Sequence, residues 1–458
     1  MSTIESTNPS DDYILLGSIE STSESEIIAF VEKAKITQKE WASRQVSERV
    51  RLLRKVYDRS LEKKEMLSQS VATEMGMPIR LARDEVQYGL NYFLWYLDHA
   101  EKYLSPEVTF ENDREIHTVF YEPKGVIAAI TPWNYPFMLF VWACIQPLLA
   151  GNAVIWKISK EVILTGKLIA DIFRDSGFPE SVWQEIYGDG KLGDFLTDQT
   201  IDGITFTGST QVGRWLAKKA QEKWITAIME LGGSAPGIIC EDADIDSVLE
   251  TIYFMRFSNS GQMCDGLKRL IVHTSRYEEL VQKLSERLLS KKIGNAQDES
   301  IDIWPLVSEH QLWAVTSQLN DALEKGATIL AKNTPESIYN WSYMSLYLLG
   351  NINNDMSVWK EEVFGPILPI VSYKTYEEAI QLANDTQYGL GAYVFTEDKD
   401  VFHRIAWSIK SGMVQMNNVN YCIPEDPFWG YKSSGIGREH GKWWFHELCN
   451  VKVISQPK

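Results

Sequence analysis

The stretch VIAAITPWNYPFMLFVWACIQPLLAGNAVIWK, residues 126–157, decides the fold. Its middle, 135–156, is apolar over about the length that a bilayer-spanning helix needs. It also carries Pro136, Gln146 and Pro147, and turn chemistry at Ala150-Gly151-Asn152 divides it. The stretch therefore reads as a strand at 126–130, a buried helix at 137–149 and a buried strand at 153–157. Such a unit predicts a parallel sheet wrapped by helices.

The same alternation continues outward. Residues 184–187 and 203–206 are strand candidates, with helices expected at 162–175 and 211–221 between and after them. A second alternating block runs from about 236 to about 412, with helices at 244–257, 276–291 and 375–384. Ahead of the first block, 27–42, 47–75 and 79–101 read as helices. The second of these is expected to open at Ser47 with Glu48 and to close at Gly76 before Pro78. Residues 115–126 have strand alternation, which ends at Pro123-Lys124-Gly125. Ligands of such sheets bind beyond the carboxyl ends of the strands.

The 458 residues exceed one ordinary core and predict two or three domains. A formal charge of −17 argues against nucleic acid or an acidic membrane surface as partner, because phosphate binding needs a basic footprint. Cys144, Cys240, Cys264, Cys422 and Cys449 have neither paired nor metal-like spacing, so free thiols in a reducing compartment are expected. The seven histidines show no ligand spacing, and no metal is expected. The acidic start MSTIESTNPSDDY has no basic region followed by an apolar one, which predicts a cytoplasmic protein.

Two reactive groups stand in glycine-containing turns. Glu230 opens Glu230-Leu231-Gly232-Gly233, and Cys264 ends Asn259-Ser260-Gly261-Gln262-Met263-Cys264. A thiolate nucleophile and a carboxylate base on water suit attack on a carbonyl and hydrolysis of a thioester. A small buried Cys and a Glu closing a strand fit the same residues. Gly188-Asp189-Gly190-Lys191-Leu192-Gly193 fits GxGxxG, but it follows two earlier strands instead of opening its domain. Phe206-Thr207-Gly208-Ser209 ends a strand where a helix begins, and amides at a helix N-terminus favour pyrophosphate.

Several long motifs in order carry a resemblance. ELGG at 230–233 and NSGQMC at 259–264 are joined by TPWNYPF at 131–137, FTGSTQVG at 206–213, EEVFGP at 361–366 and PFWGYKSSGIGRE at 427–439. Together they resemble the aldehyde dehydrogenase superfamily over nearly the whole chain. The resemblance implies an α/β fold with three parts: a Rossmann-type cofactor domain (1–113 and 127–231), a catalytic domain (232–435), and a small β element for oligomerisation (114–126 and 449–458). It implies oxidation of a small-molecule aldehyde to the acid with NAD or NADP in a homodimer or homotetramer.

Carried over by position, the resemblance makes Cys264 the nucleophile, Glu230 the hydrolytic base and Asn134 an oxyanion donor. It places Thr131, Pro132, Trp133, Lys157, Ser159, Lys160, Phe206, Gly208, Ser209, Val212, Leu231, Gly232, Glu362 and Phe364 around the cofactor. It lines the substrate tunnel with Tyr135, Leu139, Trp142, Met263 and Cys422. Lys160 stands where NAD-preferring relatives commonly carry a glutamate, and an ammonium there would attract a 2′-phosphate. Trp142 replaces an arginine common in semialdehyde dehydrogenases, which predicts an apolar or aromatic tunnel. Succinic semialdehyde and an aminoaldehyde remain alternatives, the latter suggested by Glu425-Asp426. Trp429 stands where the family usually has glycine, to narrow the entrance or to move its loop. A silent structural or binding member of the fold is the non-enzymatic alternative.

Overall fold

The computed structural model describes residues 2–335, 342–420 and 422–458. The deciding stretch forms strand Val126–Ile130, helix Pro136–Ala150 and strand Ala153–Lys157, and the two strands pair in parallel with Ala128 opposite Ile155. Of the helix's 15 residues only Met138 is not buried, which explains an apolar run with no polar face. Pro136 sits in the first turn, where a missing N–H leaves no bond unmade. Gly151 at φ 98° ends the helix, and the Asn152 amide donates to the carbonyls of Pro147 and Leu448, both at 3.1 Å. Among the described residues no helix is long and apolar enough to cross a membrane.

This unit lies in a six-stranded sheet ordered Gly435–Ile436, Thr226–Glu230, Gly203–Thr207, Val126–Ile130, Ala153–Lys157, Trp183–Ile186. All neighbours are parallel except the returning strand Gly435–Ile436, whose Gly435 pairs with Glu230. A seven-stranded sheet runs Thr328–Asn333, Leu346–Gly350, Ile367–Tyr373, Leu267–His273, Ala235–Ile239, Tyr393–Phe395, Gln415–Met416, antiparallel only at its first pair. A third sheet joins Cys449–Pro457, Glu115–Pro123 and Glu107–Glu111 in antiparallel order.

Two local expectations are corrected. Residues 47–75 form two helices, Val46–Glu62 and Lys64–Met75, because the Lys63 backbone leaves the helical region at φ −93°, ψ 12°. Each half buries its own stripe, Leu52, Leu53 and Val56 or Leu67, Val71 and Met75, against helix Ile79–Leu104. The first half starts after Gln45, without the expected Ser47 cap. The strand that begins at Glu115 ends at Pro123, as its Pro123-Lys124-Gly125 terminus leads one to expect, and Gly125, at φ 138°, turns the chain into a different sheet. The N-terminal residues form a hairpin, Thr3–Asn8 with Ile14–Glu20, tied down by Ser6 donating to Glu74 at 2.6 Å.

Candidate active site

Helix Ile245–Phe257 ends in a loop whose backbone is left-handed at three successive residues, Asn259 (φ 48°), Ser260 (φ 52°) and Gly261 (φ 80°). Two of these carry side chains, so the conformation is costly and persists only where neighbours over-determine it. They do so here with buried bonds. Asn259 Nδ2 donates to Asn134 O at 2.9 Å, Ser260 Oγ to Trp304 O at 2.6 Å, and Asn134 Nδ2 to Gln262 O at 3.1 Å. Gln262 accepts from Val307 N at 3.0 Å and donates to Asn259 O at 3.0 Å. A Cβ on Gly261 would stand 2.5 Å from Gly365 O, and one on Gly233 would stand 2.4 Å from Cys264 O. Backbone thus clamps the Cys264 loop from both sides.

Glu230 is the last residue of its strand, is buried, and has no hydrogen-bond partner on either carboxylate oxygen. Burial, and then the charge of Glu439, push its carboxyl well above the usual range. Glu439 is equally buried, has one oxygen unpartnered, and is pushed by burial up to about 8. Burial, followed by the carboxylates of Asp265 and Glu362, raises the Cys264 thiol well above its ordinary value, with Lys268 opposing. The thiol is neutral in this arrangement and needs a further positive influence to become a thiolate.

Glu362 closes the other flank. It accepts from Gly233 N at 3.1 Å and lies 3.7 Å from Lys268 Nζ. A Cβ on Gly232 would come within 2.2 Å of its carboxylate, which explains the second small residue of the Gly-Gly pair. Lys268 is buried, donates to Val363 O at 3.0 Å and lies 4.7 Å from the Phe364 ring centre; burial pushes it down to about 8.

A cavity of about 580 Å³ gathers many of the expected residues: Pro132, Trp133, Asn134, Gly208, Ser209, Glu230, Leu231, Gly232, Cys264, Glu362 and Phe364, with Tyr135, Leu139, Trp142, Met263 and Cys422. Trp133 meets Phe364 edge-on at 5.7 Å. Ser209 is exposed and caps helix Thr210–Lys223, accepting from Val212 N at 3.5 Å. Exposed Val212 occupies the first turn of that helix.

Six expected residues lie outside this cavity wall. Phe206 is buried beneath Gly208, where a Cβ would meet its ring at 2.6 Å. Thr131 is buried and accepts from Trp156 Nε1 at 2.9 Å. Val212 has its place on the helix just described. Lys157 is buried at the end of its strand, and burial pushes it down to about 8. Ser159 accepts from Glu161 N at 3.4 Å, and Lys160, 60% exposed, lies 3.7 Å from Glu161.

The GxGxxG stretch has another explanation. Asp189 caps helix Gly190–Asp198, accepting from Lys191 N at 2.9 Å and Leu192 N at 3.4 Å, so a carboxylate already holds the amides that an anion would need. Trp429 is not part of the cavity wall; it packs on Tyr431 with ring centres 4.7 Å apart. Glu425 and Asp426 are exposed and also stand outside the wall. Sequence reading missed Tyr92, Asp265, Trp304, Asn420 and Phe428, which line it, and Glu439, which neighbours Glu230. Asp265 had a signal in its position next to Cys264, and Phe428 and Glu439 in lying within the stretch 427–439.

Glycines at 208 and 232, a helix N-terminus with its cap exposed, and a carboxylate anchored beside the nucleophile loop fit a dinucleotide. The fold and this site suit an α/β oxidoreductase. The chain belongs to the aldehyde dehydrogenase family, whose model matches residues 1–454. It is 33% identical to the mitochondrial succinate-semialdehyde dehydrogenase of Oryza sativa over 455 residues, 99% of this chain and 86% of that one. An aldehyde dehydrogenase of Mycobacterium tuberculosis, solved with NAD+, superposes with a TM-score of 0.95 at 30% identity, over 99% of this chain and 94% of that one. An NADP-dependent enzyme of E. coli gives a TM-score of 0.95 at 28% identity, over 100% and 95%. The protein is an aldehyde dehydrogenase, an aldehyde-oxidising enzyme.

Proposed function

We propose that Cys264, Glu230 and Asn134 carry the oxidation of the aldehyde to its acid. The observation that supports this most is the shared cavity: a clamped thiol, a carboxyl with no other partner, and an amide already bonded to the thiol's own loop. Cys264 Sγ, its proton released to solvent water, adds to the aldehyde carbon. The second N–H of Asn134 Nδ2 and the Cys264 backbone N–H are the donors for the oxyanion. The nicotinamide cofactor, when bound, supplies the hydride acceptor. Cys264 then holds the acyl group as a thioester, and Glu230 takes a proton from the water that hydrolyses it. Burial raises the Glu230 carboxyl, so the fraction that is ionised is a stronger base than an exposed carboxylate.

Glu230→Gln tests the division of labour. The expected result is a retained burst of about one reduced cofactor per site, followed by a steady state slowed roughly a hundredfold or more. Unchanged turnover, or loss of the burst along with turnover, would remove Glu230 from the hydrolytic step.

For the cofactor, Gly208, Ser209 and Val212 are the pyrophosphate residues, Lys157, Ser159 and Lys160 the adenosine-ribose residues, and Glu362 and Phe364 the nicotinamide residues. Pro132, Trp133, Leu231 and Gly232 form the walls, with buried Thr131 and Phe206 behind them. Lys160 carries NADP use at least equal to NAD use. Residues 1–113 with 127–231 form the cofactor unit, 232–435 the catalytic unit, and 114–126 with 449–458 an oligomerisation element. Supporting the last, strand Cys449–Pro457 leaves Val451, Val453 and Ile454 exposed. Light scattering that found only single chains would remove the homodimer or homotetramer.

A further inference from the structure

Resting on the dehydrogenase reading above, we propose that Asp265 selects a cationic substrate, a short ω-aminoaldehyde whose ammonium it receives while Cys264 attacks the carbonyl. Among the described residues the cavity wall contains five acidic ones, Asp84, Glu85, Glu230, Asp265 and Glu362, and no lysine, arginine or histidine. Glu362 has Lys268 behind it, and Glu85 takes a backbone amide, Met138 N, at 2.7 Å. Among the described residues the side chains that donate to Asp265 are neutral, Asn420 Nδ2 at 2.9 Å and Cys422 Sγ at 3.6 Å. Its backbone is fixed as well, since Tyr393 Oη donates to its carbonyl at 2.8 Å.

A buried carboxylate without a counter-ion is expensive, and a bound ammonium supplies the missing charge. Burial raises the Asp265 carboxyl, with Lys268 opposing only as the last of the neighbouring influences. The remaining wall is equally suited to a cation. Trp142 stands with its ring centre 5.1 Å from Tyr92 and 5.5 Å from Phe428, and Tyr135 joins them in the same cavity. Aromatic faces attract an ammonium and repel a carboxylate. Asp265 follows Cys264 directly, so the charge is held one residue from the point of attack, which restricts the substrate to a short chain. A semialdehyde with a terminal carboxylate meets the opposite field throughout.

The test compares kcat/KM for three aldehydes of equal chain length, ending in ammonium, methyl or carboxylate, on wild type and Asp265→Asn. Wild type is expected to prefer them in that order. In Asp265→Asn the ammonium-to-methyl ratio should fall on the order of thirtyfold, the loss typical of one partner of a buried charge pair. The wild-type order is independent of how the variant folds. Oxidation of the methyl aldehyde with no preference for the ammonium, or a ratio unchanged in Asp265→Asn, would overturn the inference while leaving the dehydrogenase reading intact. No turnover of any of the three would sink both.

Discussion

The two halves of the cavity are built from different materials. On the cofactor side the shape comes from backbone: Gly208 above Phe206, Gly232 against Glu362, Gly233 against the Cys264 carbonyl, and a helix N-terminus at Ser209. On the substrate side it comes from side chains of separated segments: Tyr92, Trp142, Asp265, Asn420 and Phe428. A notional Cβ would stand 2.4 Å from backbone at Gly233 and 2.2 and 2.6 Å from the Glu362 and Phe206 side chains at Gly232 and Gly208, so nothing can be added there without a shift. The side-chain half can change its charge and shape one residue at a time. One half fixes a reaction, and the other chooses what undergoes it.

The largest expected effect tests the backbone half. In Gly233→Ala the new methyl would meet Cys264 O at 2.4 Å, and the contact is backbone, which cannot swing away. The loop must shift, and a misplacement near 1 Å lowers rate about a hundredfold. A fall in kcat of that order, with the melting temperature reduced much less, is the outcome expected from stopped-flow and calorimetry. Wild-type kcat in Gly233→Ala would show that the clamp does not position the nucleophile.

A smaller effect asks whether a lone side chain matters on the cofactor side. Lys160 is 60% exposed and partly offset by Glu161 at 3.7 Å, so its pull on a 2′-phosphate is screened. Lys160→Glu is expected to lower kcat/KM for NADP about tenfold while leaving NAD within a factor of a few. Equal loss with both cofactors would place Lys160 outside phosphate recognition.

The same difference of material decides what the sequence reveals. Backbone requirements put glycines into contiguous runs, so Glu230 to Gly233, Asn259 to Cys264 and Gly208-Ser209 were legible as motifs. The strand–helix–strand reading of 126–157 held because proline and Gly-Asn turn chemistry mark boundaries without tertiary help. Asp265 escaped because its meaning lies in Asn420 and Cys422, more than 150 residues away. Glu439 escaped for the same reason, as its effect on Glu230 depends on burial. The break at Lys63 has no glycine or proline to announce it. It arises from packing two helices on a third, which no local propensity encodes.

The smallest effect separates the acids of the substrate half from one another. Tyr135 gives helix Pro136–Ala150 no side-chain cap, and Glu85 replaces that cap from outside through its Oε1 bond to Met138 N at 2.7 Å, leaving Oε2 buried without a partner. Burial pushes this carboxyl from 4.5 up to about 8. Between those values the unfolded chain has lost a proton that the folded chain keeps. Stability from this group therefore falls as pH rises through that window. Glutamine keeps the acceptor and carries no charge. Glu85→Gln should match wild type in melting temperature at pH 5 and exceed it by a few degrees at pH 8. A variant no more stable than wild type at pH 8 would mean that water or a rearranged neighbour already relieves the charge. Because Glu85 is neutral and committed to the helix at pH 7, its substitution should also shift the ammonium-to-methyl preference less than Asp265→Asn does. An equal shift would assign the selection to the field of the whole acidic wall.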